Sequence, residues 1–249
     1  MPKVDPITRS VVLGTLETTE REMTLALEKT SRSSVLNLAR DYSTTIINSA
    51  PEMILQGQDI PIHLGSFMPA MKAVADFFDE DIHEGDLILY NDPAYQGSHI
   101  VDMCMYKPVF YKKKHVFWTA CKGHLTDAGG PVPASYNPEA TEIFAECLRI
   151  PPIKLWDKGK PQDDIRNMVL TNMRARRDQE GDFRALIGSC QVGERNLINM
   201  LDKYGFDEVS LCIDELLSMA DQHMRSLIKE IPYVTLYTFS TENWGRPDN

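Results

Sequence analysis

Two histidines and an aspartate lie close to the ends of two apolar, strand-like runs in the middle of the chain. His99 and Asp102 precede the first run, and His124 follows the second. Two imidazoles and a carboxylate form a donor set that suits Zn²⁺, Mn²⁺ or Fe²⁺. The same residue types also act as polar caps at strand ends. Spacing alone therefore leaves a metal site and a set of strand caps as open interpretations.

The strands that must position these residues are predicted near 102–110 and 115–121. The polar segment YKKKH, at 111–115, is expected to form the exposed hairpin loop between them. Antiparallel strands joined by a short loop lie side by side, so the start of the first strand meets the end of the second. This arrangement brings His99 and Asp102 within reach of His124.

Two helices are predicted before this hairpin. Asp5 followed by Pro6 is a good N-cap and first-turn pair for a first helix. Ser66 is expected to cap a second helix that runs to Asp79. His63 is a further candidate ligand, although we expect it to orient the start of that second helix.

The remaining pattern predicts a mixed α/β fold, with sheet elements within 42–121 and a helical region from about 138 to 230. The other expected elements are a hairpin at 42–48 and 53–57, a strand at 87–91, a helix from Glu139, an irregular segment at 149–161, and two long helices separated at 203–208. An apolar stripe in the last helix is expected to face the core, with a partner-binding face as the alternative. The stripe consists of Leu211, Leu216, Leu217, Ala220, Met224 and Leu227.

Composition narrows the class of protein. A net charge of −10 argues against binding to nucleic acid or to an anionic membrane, because phosphates repel an acidic surface. The run RARR at 174–177 is the one local basic candidate, and it is predicted to be a solvated helix face. Five widely spaced cysteines without a C-x-x-C pair indicate reduced thiols and a cytoplasmic location. No apolar run approaches the ~18 residues of a membrane span.

A carboxylate and a glycine pair follow His124. Asp127, close to Gly129 and Gly130, is predicted to hold a ligating histidine, or to be a turn residue bonded to its own backbone. The residue types leave both roles open.

Several longer segments occur together in the order typical of one family. They are DPITRSVV, RDYS, IPIHLGS, GDLILYNDPAYQGSHIVD, GHLTDAGG, ATEIFAECLRIPPIKL and GERNL. Over residues 4–231 the chain resembles the hydantoinase B family. That family includes the B-type subunits of ATP-dependent hydantoinases, oxoprolinases and caprolactamases, and it is related to acetone and acetophenone carboxylase subunits.

The resemblance implies a set of four metal ligands. The His-x-x-Asp segment of the family falls on His99 and Asp102. The histidine that opens the family's HHADxGG-type segment falls on His124. The aspartate of the RDYS segment is Asp41, which periodicity does not select. The family often has two adjacent histidines where this chain has His124 and Leu125, so any role of the second histidine is absent here.

The resemblance also implies a chemistry. An A-type partner subunit uses ATP to phosphorylate the carbonyl oxygen of a small cyclic amide, and the B-type subunit hydrolyses the product. A divalent metal, Zn or Mn, would lower the pKa of a water towards ~7. Asp127 is implied as the catalytic proton acceptor or as a holder of a ligand. The chain lacks G-x-x-x-x-G-K-[ST], in agreement with ATP on the partner and with a hetero-oligomer.

Two alternatives to this hydrolase stay open. The first is a carboxylase subunit that acts on a ketone with the same scaffold. The second is an inactive truncated or chimeric piece, because the family continues for a long C-terminal region beyond residue 231. Residues 232–249, with TLYTFSTENWGRP, resemble a fragment of a cis-prenyl (undecaprenyl diphosphate) synthase. We therefore expect a hydantoinase B-like region at 1–231, truncated relative to the family, and an unrelated tail at 232–249.

Overall fold

A computed structural model describes residues 4–231 as a mixed α/β fold around one antiparallel sheet of seven strands. The strands are β1 Tyr42–Asn48, β2 Met53–Gln56, β3 Leu87–Tyr90, β4 Asp102–Tyr111, β5 Lys114–His124, β6 Ile153–Asp157 and β7 Lys160–Pro161. The helices are α1 Pro6–Thr30, α2 Ser34–Asn37, α3 Pro61–Phe78, α4 Asp163–Thr171, α5 Arg176–Tyr204 and α6 Phe206–Glu230. The sheet order is β2-β1-β5-β4-β3-β6-β7. These elements confirm the predicted fold class.

Helices cover both faces of the sheet. In β3, Ile88 and Tyr90 pack beneath α3 on one face. Leu87 and Leu89 point to the other face, where α4 and α5 lie. Helices α1 and α6 complete this second layer, against the β1 and β5 end of the sheet. A strand buried on both faces is apolar at every position, which explains the continuous LILY sequence of β3.

The start of α1 agrees with the prediction. The carboxylate of Asp5 accepts a hydrogen bond from the backbone N–H of Thr8 at 2.9 Å, and Pro6 occupies the first helical position. The buried face of the helix carries Leu16 and Met23, while Ile7 is exposed to solvent.

The prediction that Ser66 caps the second helix was wrong. Helix α3 begins five residues earlier, at Pro61, because proline fits the first turn and needs no N–H acceptor there. Ser66 lies inside the helix, where its hydroxyl donates to the carbonyl of His63 at 2.8 Å. The early start places His63 in the first turn, and this proves important for the site.

Two predictions for residues 139–161 were also wrong. The expected helix from Glu139 is replaced by loop and a single 3₁₀ turn at Ile143–Ala145. The segment predicted to be irregular forms the β6–β7 hairpin. Its turn residues, Lys158 and Gly159, have φ angles of 49° and 80°, the positive values that tight two-residue hairpins require.

The long C-terminal helices are separated as expected. Gly205, with φ of 79°, interrupts them between α5 and α6. The prediction that the α6 stripe faces the core holds only for the first half of the helix. Val209, Cys212 and Ile213 are buried, whereas every residue from 218 to 230 is exposed. The second half of α6 extends beyond the helices and strands that bury the first half.

Residues 232–249, the expected unrelated tail, lie outside the residues that the structure describes. Within residues 4–231, no helix combines the length and the apolar character that a membrane span needs.

Candidate metal centre

The β4–β5 hairpin brings two of the predicted ligands into direct register. Asp102 at the start of β4 pairs with His124 at the end of β5. The backbone N–H of His124 also donates to the carbonyl of Asp41 at 2.9 Å, just before β1. Residues opposite each other on antiparallel strands point to the same face. The three side chains therefore share one edge of the face that α3 covers.

The side-chain distances are on the scale of one coordination sphere. His124 Nδ1 lies 2.9 Å from Asp102 Oδ1 and 4.0 Å from Asp41 Oδ2. Candidate ligand atoms of His99, Asp102 and His124 all lie within 4.8 Å of one another. Donors bonded to one ion at 2.0–2.2 Å are about 3 Å apart when adjacent and about 4.4 Å apart when opposite. The residues present thus fit a divalent ion. The candidate ligand atoms lie slightly farther apart than the donors bound to one ion.

The four predicted ligands differ in how far they reach solvent. Asp102 is buried, His124 and Asp41 are partly exposed, and His99 is the exposed member. They line a cavity of about 400 Å³. Its full lining is Ala39, Asp41, Ile60, Ile62, His63, Ser98, His99, Asp102 and His124. Ligands that line an open cavity leave access for a small molecule.

His63 is a member of the cluster that the spacing argument did not place there. Its buried ring lies with Nε2 3.4 Å from Asp102 Oδ2 and 3.6 Å from Asp41 Oδ1. Nδ1 faces the hydroxyl of Ser43 at 3.4 Å. These distances exceed those of strong hydrogen bonds, so the contact is mainly electrostatic. The sequence assigned His63 to the helix start, and the structure shows its ring between two carboxylates.

The electrostatics of this cluster favour the ionised form of Asp102. Burial acts to raise the pKa of Asp102, but hydrogen bonds from His124 and Ser98 and the electrostatic contact with His63 outweigh it and hold the pKa well below its usual range. The hydrogen bond to Asp102 raises the pKa of His124, against the opposing effect of burial. A histidine nitrogen must be unprotonated to bind a metal, so the raised pKa of His124 acts against cation binding as pH falls.

Asp127 does not line this cavity, and its carboxylate already has several donors. It accepts from the backbone N–H groups of Gly129 at 2.9 Å and Ala134 at 3.0 Å. Arg174 adds an ion pair at 2.8 Å between Nη1 and Oδ2. Burial acts to raise the pKa of Asp127, but these hydrogen bonds outweigh it and the pKa lies below its usual value. This geometry matches the turn-residue alternative.

Arg174 corrects the interpretation of the RARR segment as a solvated helix face. Helix α5 begins at Arg176, so Arg174 lies in the preceding turn. Its guanidinium binds Asp127 and donates to the carbonyls of Gly130 and Val132. One of the three arginines of this segment thus fixes the loop that follows β5.

Comparisons with known proteins agree with the resemblance described above. The family model for hydantoinase B/oxoprolinase matches residues 5–244. Caprolactamase subunit beta from Pseudomonas jessenii is 66% identical over 93% of this chain, and 5-oxoprolinase from Dictyostelium discoideum is 27% identical over 92%. This chain spans 40% of the first relative and 18% of the second.

Solved structures give the same picture of the fold. The crystal structure of ATP-dependent caprolactamase from Pseudomonas jessenii superimposes with a TM-score of 0.89, covering 92% of this chain and 40% of that chain. A nucleotide-free acetone carboxylase superimposes with a TM-score of 0.79 at 19% identity, over 84% of this chain and 28% of that one, which indicates a shared fold. The family match continues to residue 244. The comparisons therefore give no support to a separate cis-prenyl synthase origin for residues 232–249.

Proposed function

The chain belongs to the hydantoinase B/oxoprolinase family, and from this premise we propose that it is the metal-binding part of a B-type subunit that hydrolyses a cyclic amide. The proposed substrate is a lactam or related ring whose carbonyl oxygen an A-type partner subunit phosphorylates with ATP. The chain spans 40% of caprolactamase subunit beta. We therefore propose turnover for the assembled enzyme and metal binding for this chain.

One observation carries the proposal. Ligand-type side chains from three separate segments, at residue 41, at 99–102 and at 124, meet at one edge of the sheet and line an open cavity. Strand caps serve their own strand ends and have no reason to converge in this way. We propose Asp41, His99, Asp102 and His124 as the ligands of one Zn²⁺ or Mn²⁺, ions that accept this mixed nitrogen and oxygen set.

The residues of the chain divide the work as follows. Two carboxylates balance the charge of a divalent cation, and the buried ring of His63 keeps both of them facing the cavity. Such outer contacts orient ligands and are as important as the ligands themselves. When bound, the cation would supply Lewis acidity towards the carbonyl group or a water molecule. The exposed position of His99 leaves one side of the site open to substrate.

Three roles were predicted for Asp127: turn residue, holder of a ligating histidine and proton acceptor. We propose that it is a turn residue. A carboxylate that accepts from Gly129, Ala134 and Arg174 has a lowered proton affinity, which makes it a poor proton acceptor at neutral pH. Its bonds instead fix the loop that leaves β5 directly after His124. These bonds support a turn-residue role, in which Asp127 fixes the position of the loop.

The metal proposal is tested by measuring bound Zn²⁺ or Mn²⁺ in the purified chain after incubation with either ion. We expect about one ion per chain, and we expect His99→Ala and His124→Ala to lose it. His223→Ala is the matched control, because His223 is exposed on the second half of α6. An unmodified chain that retains no ion, or a His124→Ala variant that binds as tightly, would remove the basis of the proposal.

The substrate proposal needs the partner. Ring opening of caprolactam or 5-oxoproline is measured with the A-type subunit, with and without ATP, and is expected only with both. The alternative, a carboxylase acting on a ketone, rests on a shared fold at 19% identity. Turnover of acetone that depends on bicarbonate would favour that alternative. Metal binding without either activity would favour the inactive-piece alternative.

A further inference from the structure

A lysine is buried directly behind the candidate metal centre. Lys122 lies on β5 two residues before His124, so both side chains point to the face that α3 covers. The side chain of Lys122 has no exposed surface. Its ammonium lies 5.4 Å from the centre of the Phe67 ring and donates hydrogen bonds to the hydroxyls of Ser66 and Ser98.

A buried ammonium is costly unless an anion balances it. Within residues 4–231, no carboxylate oxygen lies within 4.0 Å of the Lys122 nitrogen to form a direct ion pair. A buried anion is nevertheless connected to it through one hydroxyl. Ser98 lies 2.9 Å from Lys122 and donates to Asp102 Oδ2, also at 2.9 Å.

The direction of these two hydrogen bonds follows from the groups that make them. An ammonium only donates, and an ionised carboxylate only accepts. The hydroxyl of Ser98 must therefore accept from Lys122 and give its single proton to Asp102. The two hydrogen bonds that connect Lys122, Ser98 and Asp102 therefore have one possible direction. A hydroxyl that is oriented in this way holds its acceptor, Asp102, in place.

The two oxygens of Asp102 consequently have different surroundings. Oδ2 is bonded to Ser98 and faces His63 at 3.4 Å. Oδ1 lies 2.9 Å from His124 Nδ1, on the side of the candidate ligands. We propose that Ser98, anchored by the buried ammonium of Lys122, is a positioning residue that aims Asp102 Oδ1 at the cation. This inference rests on the proposed metal site.

The test measures the dissociation constants of Mn²⁺ and Zn²⁺ by competition with a chelating dye, using the full chain. Loss of a partner that orients a ligand weakens metal binding by about 10- to 100-fold, which is the effect expected for Ser98→Ala. Ser98→Thr keeps the hydroxyl and is expected to bind within about threefold of the unmodified chain. Ser226→Ala on exposed α6 is the control for serine removal.

The role of Lys122 is tested by a double-mutant cycle of Lys122→Met and Ser98→Ala, with metal affinity as the measured quantity. If Lys122 acts through Ser98, the two substitutions are coupled. We then expect the change in affinity caused by Lys122→Met to differ by at least about threefold between the unmodified chain and the Ser98→Ala chain. Equal changes in both chains would overturn the anchoring role.

The outcomes separate this inference from the proposed function. If the unmodified chain binds an ion and Ser98→Ala binds it equally well, the positioning role is overturned and the metal site stands. If Ser98→Ala and Ser98→Thr weaken binding to the same extent, the hydroxyl is not responsible and the inference is also overturned. If the unmodified chain binds neither ion, both proposals fail together.

Discussion

Replacement of Asp127 by asparagine distinguishes the proposed turn-residue role from proton transfer. The side chain is nearly buried, and its contacts join the loop after β5 to the turn before α5. It accepts from Gly129 and Ala134 on its own loop and from the backbone N–H and the guanidinium of Arg174. Asp127→Asn keeps the size of the side chain and one carbonyl-type acceptor, and it removes the charge.

The expected loss of stability follows from these contacts. The new NH₂ group leaves one of the N–H donors of Gly129 or Ala134 without an acceptor, at a cost of about 1–2 kcal/mol. The ion pair with Arg174 is lost as well. The side chain of Arg174 is 43% exposed, so solvent screening limits that contribution to at most about 1 kcal/mol. We expect Asp127→Asn to lower the free energy of unfolding by about 1–3 kcal/mol.

The assay is urea denaturation at several pH values. Burial acts to raise the pKa of Asp127, but the hydrogen bonds outweigh it, so the folded-state pKa lies below the unfolded value of about 3.9. A carboxylate of this kind stabilises the fold above its unfolded pKa, and the stabilisation is lost as pH falls through the folded pKa. The difference between the two chains should be constant from pH 6 to 8 and should shrink below about pH 4.

The control and the refuting result are both specific. Asp202→Asn is the matched exchange, because Asp202 is exposed and has no hydrogen-bonded partner among the described residues; we expect a change within about 0.5 kcal/mol. Metal affinity should be close to normal in Asp127→Asn. A variant with unchanged stability but abolished turnover in the assembled enzyme would refute the turn-residue role and would favour proton transfer by Asp127.

Two further expectations concern packing and local stability. A Cβ on Gly193 of α5 would lie 2.5 Å from Met23 Sδ and 2.6 Å from Thr119 Cγ2, so we expect Gly193→Ala to cost about 1–3 kcal/mol in urea denaturation. Gly188→Ala on the same helix meets open space and should be neutral or slightly stabilising; equal behaviour of the two variants would contradict this account of the α5 packing. Hydrogen exchange followed by mass spectrometry should show faster exchange over residues 218–230 than over the first half of α6, because every residue from 218 to 230 is exposed. Uniform protection along the helix would contradict this expectation.

The part of the site that sequence reasoning reached depends on a single local pairing. A hairpin loop near 111–115 fixes which residues of the two strands are neighbours, and the observed turn at Lys112 and Lys113 does so with positive φ at both positions. The pairing of Asp102 with His124 follows from that turn together with a register shift between Val109 and Phe110, without which Asp102 would lie opposite Gly123. Contacts set by a nearby turn are predictable because the intervening chain has few ways to connect two strands.

The position of Asp41 and the β6–β7 hairpin depend on strand pairings that the local sequence does not determine. Asp41 reaches the site because β1 pairs with β5 across about 80 residues of sequence, and only the family resemblance suggested it. The β6–β7 hairpin was missed for a different reason. Two prolines precede it, and proline is confined to strand edges, so the segment reads as irregular until its pairing with β3 is known.

The position of His63 depends on where helix α3 begins. Its ring reaches Asp41 and Asp102 because α3 starts at Pro61, which puts residue 63 in the first turn, above the sheet edge where the carboxylates lie. The signal was present, since proline at the first helical position is a stronger marker of a helix start than a serine five residues later. Placing the helix at Pro61 would still not aim the ring. That requires Ile60, whose carbonyl accepts from Ser43 at 3.2 Å and so ties the helix start to the first strand. The first turn of a helix that packs on a sheet therefore predicts a site residue only when the strand that contacts the helix start is also known.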